Sequence, residues 1–203
     1  GKCLDKECPD GDVCQGHEVV ADYITIAEAK KSALNTSVTV KGVVSTKTSS
    51  HILIQDGKDG IQLYYAKDAA EFASIKVGDE ILATGTYTVF NGLHEVKSIK
   101  KLEVLSSGHE VKPIVITSVA KADIEQYQNM LVAVELTYVS GSIANKTNST
   151  FKDANGVTVT VRPDSTWGTI PTLTLTAGDK VVVTGYVNWY NNHRIHSSLG
   201  YQT

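Results

Sequence analysis

The side chains best suited to holding a flat, polar ligand crowd into one short run, Trp189-Tyr190-Asn191-Asn192-His193-Arg194. Two aromatic rings interleaved with amide, imidazole and guanidinium groups suit stacking on bases or on sugar faces. The same run also suits a hairpin whose rings plug the end of a barrel, and the sequence leaves that alternative open. Smaller groups of the same kind occur elsewhere: Tyr64, Tyr65 and Phe90, and the cations Lys47, Lys146 and Arg162. Catalytic signatures are missing. There is no nucleophile elbow, phosphate-binding glycine loop, His-Glu-x-x-His pair or dinucleotide fingerprint. His193 and His196 are close, but on a strand residues three apart face opposite sides, so they form no metal pair. No cofactor and no metal is expected.

Those residues are carried by a duplicated frame. Val77-Gly78-Asp79-Glu80-Ile81-Leu82-Ala83-Thr84-Gly85 returns 100 residues later as Ala177-Gly178-Asp179-Lys180-Val181-Val182-Val183-Thr184-Gly185. The segment around Asp56 matches that around Asp153, and Val38–Val43 matches Val132–Thr137. A repeat this long is too large for a solenoid unit and fits two copies of one small domain. The drift in offset means the strands are kept while the loops vary. Gly78-Asp79, Gly178-Asp179, Asp56 and Asp153 read as turn residues rather than catalytic acids.

With 203 residues, a net charge of −3 and 41% hydrophobic content, the chain can bury two modest cores and exerts no global pull on a polyanion. Nucleic-acid binding would therefore need a local basic patch. No run is long and apolar enough to span a membrane. All three cysteines, Cys3, Cys8 and Cys14, lie in the first fourteen residues. That placement is compatible with export and with a polar tail carrying at most one disulfide; zinc is disfavoured because no Cys-x-x-Cys pair is present. A lipid anchor would lie upstream.

Period-two patterns predict strands over 38–44, 51–55, 60–65, 79–89 and 93–105. Thr25 is a usable cap for a short helix over 26–34, and Ala69, Phe72 and Ile75 predict another over 68–76. Asn91-Gly92 predicts a tight hairpin. Tyr64 and Tyr65 alternate in facing, which sends one to the core. The second copy repeats the plan, with a helix near 118–129, strands over 131–139, 149–153, 157–162, 180–188 and 193–199, and a loop over 163–171 in place of the middle helix.

Three strands, a helix and two strands is the order of the OB-fold, a five-stranded Greek-key barrel. Val38-x-Val40-x-Gly42-Val43, Ile54-Gln55-Asp56-Gly57, Gly60-Ile61, Val77-Gly78-Asp79, Thr84-Gly85 and Phe90-Asn91-Gly92-Leu93 resemble the bacterial OB-fold modules of exported proteins and lipoproteins, including those accompanying secreted endonucleases. The expected architecture is all-β: a tail over 1–22, a barrel over 23–106, a linker over 107–112 and a second barrel over 113–203. In such folds ligands lie across strands two and three, gripped by the loops after strands one and four.

The resemblance and the stacking residues together imply a non-enzymatic, exported protein that binds single-stranded DNA or RNA, located at the cell surface, in the periplasm or outside the cell. The alternatives are a carbohydrate- or protein-binding surface module, with a glycan as partner, and an accessory region of a larger exported nuclease.

Overall fold

Over residues 37–44 the burial alternates residue by residue, which is what a strand of a closed barrel with one apolar inner face demands. The structure is a computed structural model that describes residues 22–188 and 194–202, with side chains in the last stretch as far as His196. Cys3, Cys8, Cys14 and the tail lie outside the described residues. Barrel one consists of β1 (Ser37–Lys47), β2 (Ile52–Gln55), β3 (Gly60–Leu63), β4 (Glu80–Phe90) and β5 (Leu93–Ser106), closed in the order β1-β2-β3-β5-β4. The closing β3–β5 pair is parallel and all others are antiparallel. Ile52, Ile54, Ile61, Leu63, Ile81 and Val96 fill its interior.

Barrel two uses β7 (Leu131–Gly141), β8 (Ser149–Lys152), β9 (Thr158–Val161), β10 (Lys180–Asn188) and β11 (Arg194–Gln202). β10 pairs with both β11 and β7, and β11 runs parallel to β9, so the same five-strand closure recurs. A sixth strand, β6 (Ile114–Ile116), adds a parallel edge to β7 and has no counterpart among the strands expected from sequence. The chain is thus all-β, two tandem OB-type barrels with only short helices.

The repeated Gly-Asp pair makes the same turn twice. Gly78 and Gly178 have φ of +90° and +99°. The Asp79 carboxylate accepts the amide of Lys76 at 2.7 Å, and the Asp179 carboxylate accepts that of Thr176 at 2.8 Å. The glycines supply the left-handed backbone and the carboxylates close the turn. The β4–β5 hairpin turns on Asn91 and Gly92, both at positive φ, as an Asn-Gly type I′ turn requires.

The helices differ from expectation. Thr25 caps α1 (Ile26–Ala29) in a capping box with Glu28, but the helix ends after four residues. The helix expected over 68–76 is two 3-10 turns, Ala66–Asp68 and Ala70–Ser74. The buried positions follow the 3-10 period: Ala66, Ala69, Phe72 and Ile75 recur every three residues and face the core, while Ala73, the i+4 position from Ala69, is left exposed. The expected helix near 118–129 is α2 (Lys121–Ile124) followed by a 3-10 turn, Glu125–Tyr127.

The barrels are joined along a seam where Gln128–Leu131 lies against β2, β3 and the start of β5. The Leu131 amide donates to the Gln55 side chain at 3.3 Å, and the His94 amide donates to the Gln128 side chain at 2.9 Å. Asn129 donates its side-chain N–H to the His94 carbonyl at 3.3 Å. Leu53, Leu131 and Tyr186 form a shared apolar cluster, with Val111 and Trp167 against it. The Tyr186 hydroxyl donates to the Ser45 carbonyl at 2.8 Å.

At Gly60 the two backbones come close together. A Cβ there would sit 2.8 Å from the Asn129 carbonyl oxygen and 2.8 Å from Met130 Cγ. Gly60→Ala should therefore open the seam and cost roughly 1–3 kcal/mol, the usual range for overpacking. Both tryptophans, Trp167 and Trp189, belong to the second half of the chain and Trp167 packs on the shared cluster, so tryptophan fluorescence follows barrel two and the seam while circular dichroism follows both barrels. The two denaturation curves should coincide in the wild type and separate in Gly60→Ala.

Candidate nucleic-acid interface

Antiparallel pairing of Ile52 with Leu63 sets the residue before β2 beside those after β3. His51 stacks on Tyr64 with ring centroids 4.9 Å apart, and Tyr65 stands edge-on to both, 5.1 Å from His51 and 4.7 Å from Tyr64. The expectation that one tyrosine enters the core is corrected: β3 ends at Leu63, and Tyr64 and Tyr65 are 38% and 41% exposed. Alternation stops because Tyr65 adopts φ +49°, a left-handed conformation that costs an L-residue roughly 1–2 kcal/mol.

The local bonds hold that conformation. The Tyr65 amide donates to His51 Nδ1 at 2.9 Å, and the His51 amide donates to Thr48 Oγ1 at 2.9 Å. Partial burial, aided by the charge of Lys67, keeps the His51 pKa below its ordinary value. As the acceptor for Tyr65, neutral His51 then carries its proton on Nε2. The Lys67 ammonium lies 5.1 Å from the Tyr65 ring centroid, a cation–π distance.

The other residues singled out in barrel one do different work. The Lys47 ammonium donates to the carbonyls of Phe72 at 2.6 Å and Ile75 at 2.9 Å and lies 4.2 Å over the Phe72 ring, so it anchors the 3-10 segment. Phe90 is exposed at the β4–β5 hairpin tip. His94 shares a hydrogen bond with the Tyr87 hydroxyl and belongs to the seam.

The outward face of β2 and β3, where OB barrels take ligands, is closed in barrel one. Leu53 and Gln55 are spent on the seam. Beside them Gln62 donates to the Glu95 carboxylate at 3.3 Å, both residues are buried, and burial raises the Glu95 pKa.

The equivalent face of barrel two is open. Thr150 and Lys152 on β8 and Thr158 and Thr160 on β9 point outward, while Phe151, Val159 and Val161 point to the core. Thr150 pairs with Thr160, and Lys152 with Thr158. With Val119, Lys121 and Val157 the threonines line a shallow cleft of about 420 Å³. Neither β8 nor β9 carries an acidic residue. Arg162 follows β9, its guanidinium donating to the side-chain oxygen Oδ1 of Asn148 at 3.0 Å, and Arg194 opens β11 alongside Thr160.

Lys146 is exposed in the β7–β8 loop at φ +55°, its amide bonded to the Pro163 carbonyl at 2.7 Å. Trp189, Tyr190, Asn191 and His193 lie outside the described residues. Among the described residues no cluster of His, Cys, Asp and Glu could hold a metal ion, and no helix is long and apolar enough to cross a membrane. Sequence reasoning missed Lys67 and the threonine face. The signal for the face was available, since Thr150-Phe151-Lys152 and Thr158-Val159-Thr160 alternate polar with apolar at the strand period.

Comparison with protein-family models gives no match, and comparison with curated proteins gives none. Solved structures give remote likenesses. A murine DNA-binding protein bound to double-stranded DNA is 14% identical with a TM-score of 0.38, over 81% of this chain and 93% of that one. The HINa domain of Ifi202, in complex with double-stranded DNA, is 12% identical with a TM-score of 0.37, over 83% of this chain and 95% of that one. A Replication Protein A heterotrimer bound to single-stranded DNA is 10% identical with a TM-score of 0.35, over 97% of this chain and 72% of that one. Superpositions of this quality carry no information on what this chain binds.

Next to the open face, His196 on β11 is the most perturbed group. Its Nδ1 is buried without a partner, and burial lowers its pKa to about 4, against the pull of Asp164 and with the push of Arg162 and Arg194. A base whose folded pKa lies below its unfolded value near 6.5 favours folding fully above about 6.5, and that contribution is lost as pH falls toward 4. At 1.36 kcal/mol per pKa unit the loss is about 3 kcal/mol. His196→Gln, which cannot titrate, should flatten this part of the stability profile when urea unfolding is measured between pH 7 and pH 4.

Proposed function

We propose that this chain is a non-enzymatic binding protein for single-stranded nucleic acid, with the strand lying across β8 and β9 of barrel two. One observation carries the reading. Of two equivalent sheet faces, that of barrel one is sealed by the seam, whereas that of barrel two is open, lined by threonine hydroxyls and bordered by Lys121, Lys152, Arg162 and Arg194 with no acidic residue on either strand. Cations set at the edge of a hydroxyl-lined groove neutralise phosphates, and the hydroxyls serve sugar and phosphate oxygens. These four side chains are the cations this reading draws on, in a chain whose net charge is −3.

A carbohydrate ligand is the second reading, favoured by the same hydroxyl face and by exposed Tyr64 and Tyr65. Salt separates the two. Fluorescence anisotropy with labelled oligothymidine and oligouridine should show binding that weakens as salt rises. The double variant Lys152→Ala/Arg162→Ala should weaken it further and reduce the salt slope by about 0.7 for each phosphate that is no longer neutralised. Salt-independent binding to a glycan, with none to either oligonucleotide, would select the carbohydrate reading.

Export, including a place among lipoproteins or beside a secreted nuclease, belongs to the same proposal and is supported by the resemblance to exported OB-fold modules and by the cysteine placement. One disulfide among three cysteines leaves one free thiol per chain. Thiol titration of natively purified protein should find one, and three would remove the support from the cysteines.

A further inference from the structure

We infer that His51, Tyr64, Tyr65 and Lys67 form a second site, on barrel one and separate from the β8–β9 face, that stacks one nucleobase and holds its phosphate at Lys67. The ligand is a nucleoside monophosphate, either free or as the phosphorylated end of a strand.

Three features build the site. His51 covers one side of Tyr64 and Tyr65 stands edge-on to both, so the trio is a preformed wall, and Tyr64 stays exposed enough to take a fourth ring. A base placed there meets an offset-stacking surface that does not have to be ordered on binding. The second feature is strain. Tyr65 is held at positive φ by its amide on His51 and by its carbonyl, which accepts the Asp68 amide at 3.1 Å, and yet its ring stays exposed. Packing gains little from a bulky residue in that conformation, where glycine would sit unstrained, and such outliers collect at ligand-holding positions.

Charge, the third feature, selects the length of the ligand. Lys67 is exposed beside the Tyr65 ring and is the cation of the patch, since the Lys47 ammonium is committed to the Phe72 and Ile75 carbonyls. Asp68 and Glu71 follow within four residues. A continuous polyanion would run into those carboxylates, whereas one phosphate can meet Lys67 alone.

The inference stands on barrel one's own residues and is separable from the function proposed for barrel two. The test is calorimetric titration of the full chain with adenosine 5′-monophosphate and with adenosine. Tyr64→Ala and Tyr65→Gly should each weaken both ligands roughly tenfold or more, the scale of one lost base stack. Lys67→Ala should weaken the monophosphate and leave adenosine unchanged. Tyr65→Gly should keep or raise the melting temperature, because glycine accepts the conformation. Unchanged affinity in Tyr65→Gly, or no binding of either ligand by the wild type, would overturn the site. So would a fall in monophosphate affinity in Lys152→Ala/Arg162→Ala, which places binding on barrel two. No oligonucleotide binding by the wild type, with monophosphate binding intact, would instead sink only the barrel-two reading. Tighter binding of a 5′-phosphorylated oligonucleotide than of its 5′-hydroxyl form would identify the strand end as the source, and equal binding the free nucleotide.

Discussion

The arrangement depends on the seam, where Gln128, Asn129 and Leu131 read the backbone and side chains of barrel one at His94 and Gln55. Amides buried between two barrels must find acceptors, since an unpaired buried N–H costs about 1–3 kcal/mol. The sequence meets this with Gln55 from one barrel and Gln128 from the other, each accepting a main-chain N–H across the boundary. Leu53, Leu131 and Tyr186 remove apolar surface from water, but that contribution is blind to orientation. The hydrogen bonds fix the angle at which the barrels meet, and Gly60 fixes how near they come.

From that seam follows the division of labour between two copies of one fold. A duplicated barrel begins with two equivalent sheet faces. Docking consumes the first: Leu53 and Gln55 turn outward from β2 as a ligand-binding residue would, and meet the other barrel instead. The neighbouring Gln62–Glu95 pair is buried too, with the carboxyl held above its ordinary pKa, an environment that disfavours a phosphate. Barrel two keeps its face, and there the outward positions are threonine and lysine.

The barrels are legible in sequence because each strand is half-buried and advertises its period, and because Gly78-Asp79, Gly178-Asp179 and Asn91-Gly92 encode turns by backbone conformation alone. Elements defined by less than a full period are not. Ala69, Phe72 and Ile75 give an apolar stripe that an α-helix and a 3-10 turn share, and Ala73, four residues after Ala69, keeps the α-helical reading open in sequence. Strand β6 is three residues long and exists because β7 offers it an edge. The site is legible in part: Tyr64 and Tyr65 stand out as candidates, but their grouping with His51 depends on the positive φ of Tyr65, which a tyrosine in sequence does not announce. The seam is hidden for a different reason, since Gln55 and Gln128 look like surface residues until a partner barrel buries them.

A rigid seam changes what two sites can do together. Were the barrels joined only by the segment between Ser106 and Ile114, a strand bound at one site would find the other at a concentration set by linker statistics. Here that segment is pinned, with the His109 amide on the Gly78 carbonyl at 2.9 Å and Val111 against the shared cluster. The separation of the two sites is then a fixed length. A strand of matching length reaches its second site without the entropy of closing a loop, and a shorter one gains nothing. On the two sites proposed above, such a body would discriminate ligands by length, a selectivity that neither barrel would have alone and that the inter-barrel hydrogen bonds, rather than any ligand-touching residue, would make available.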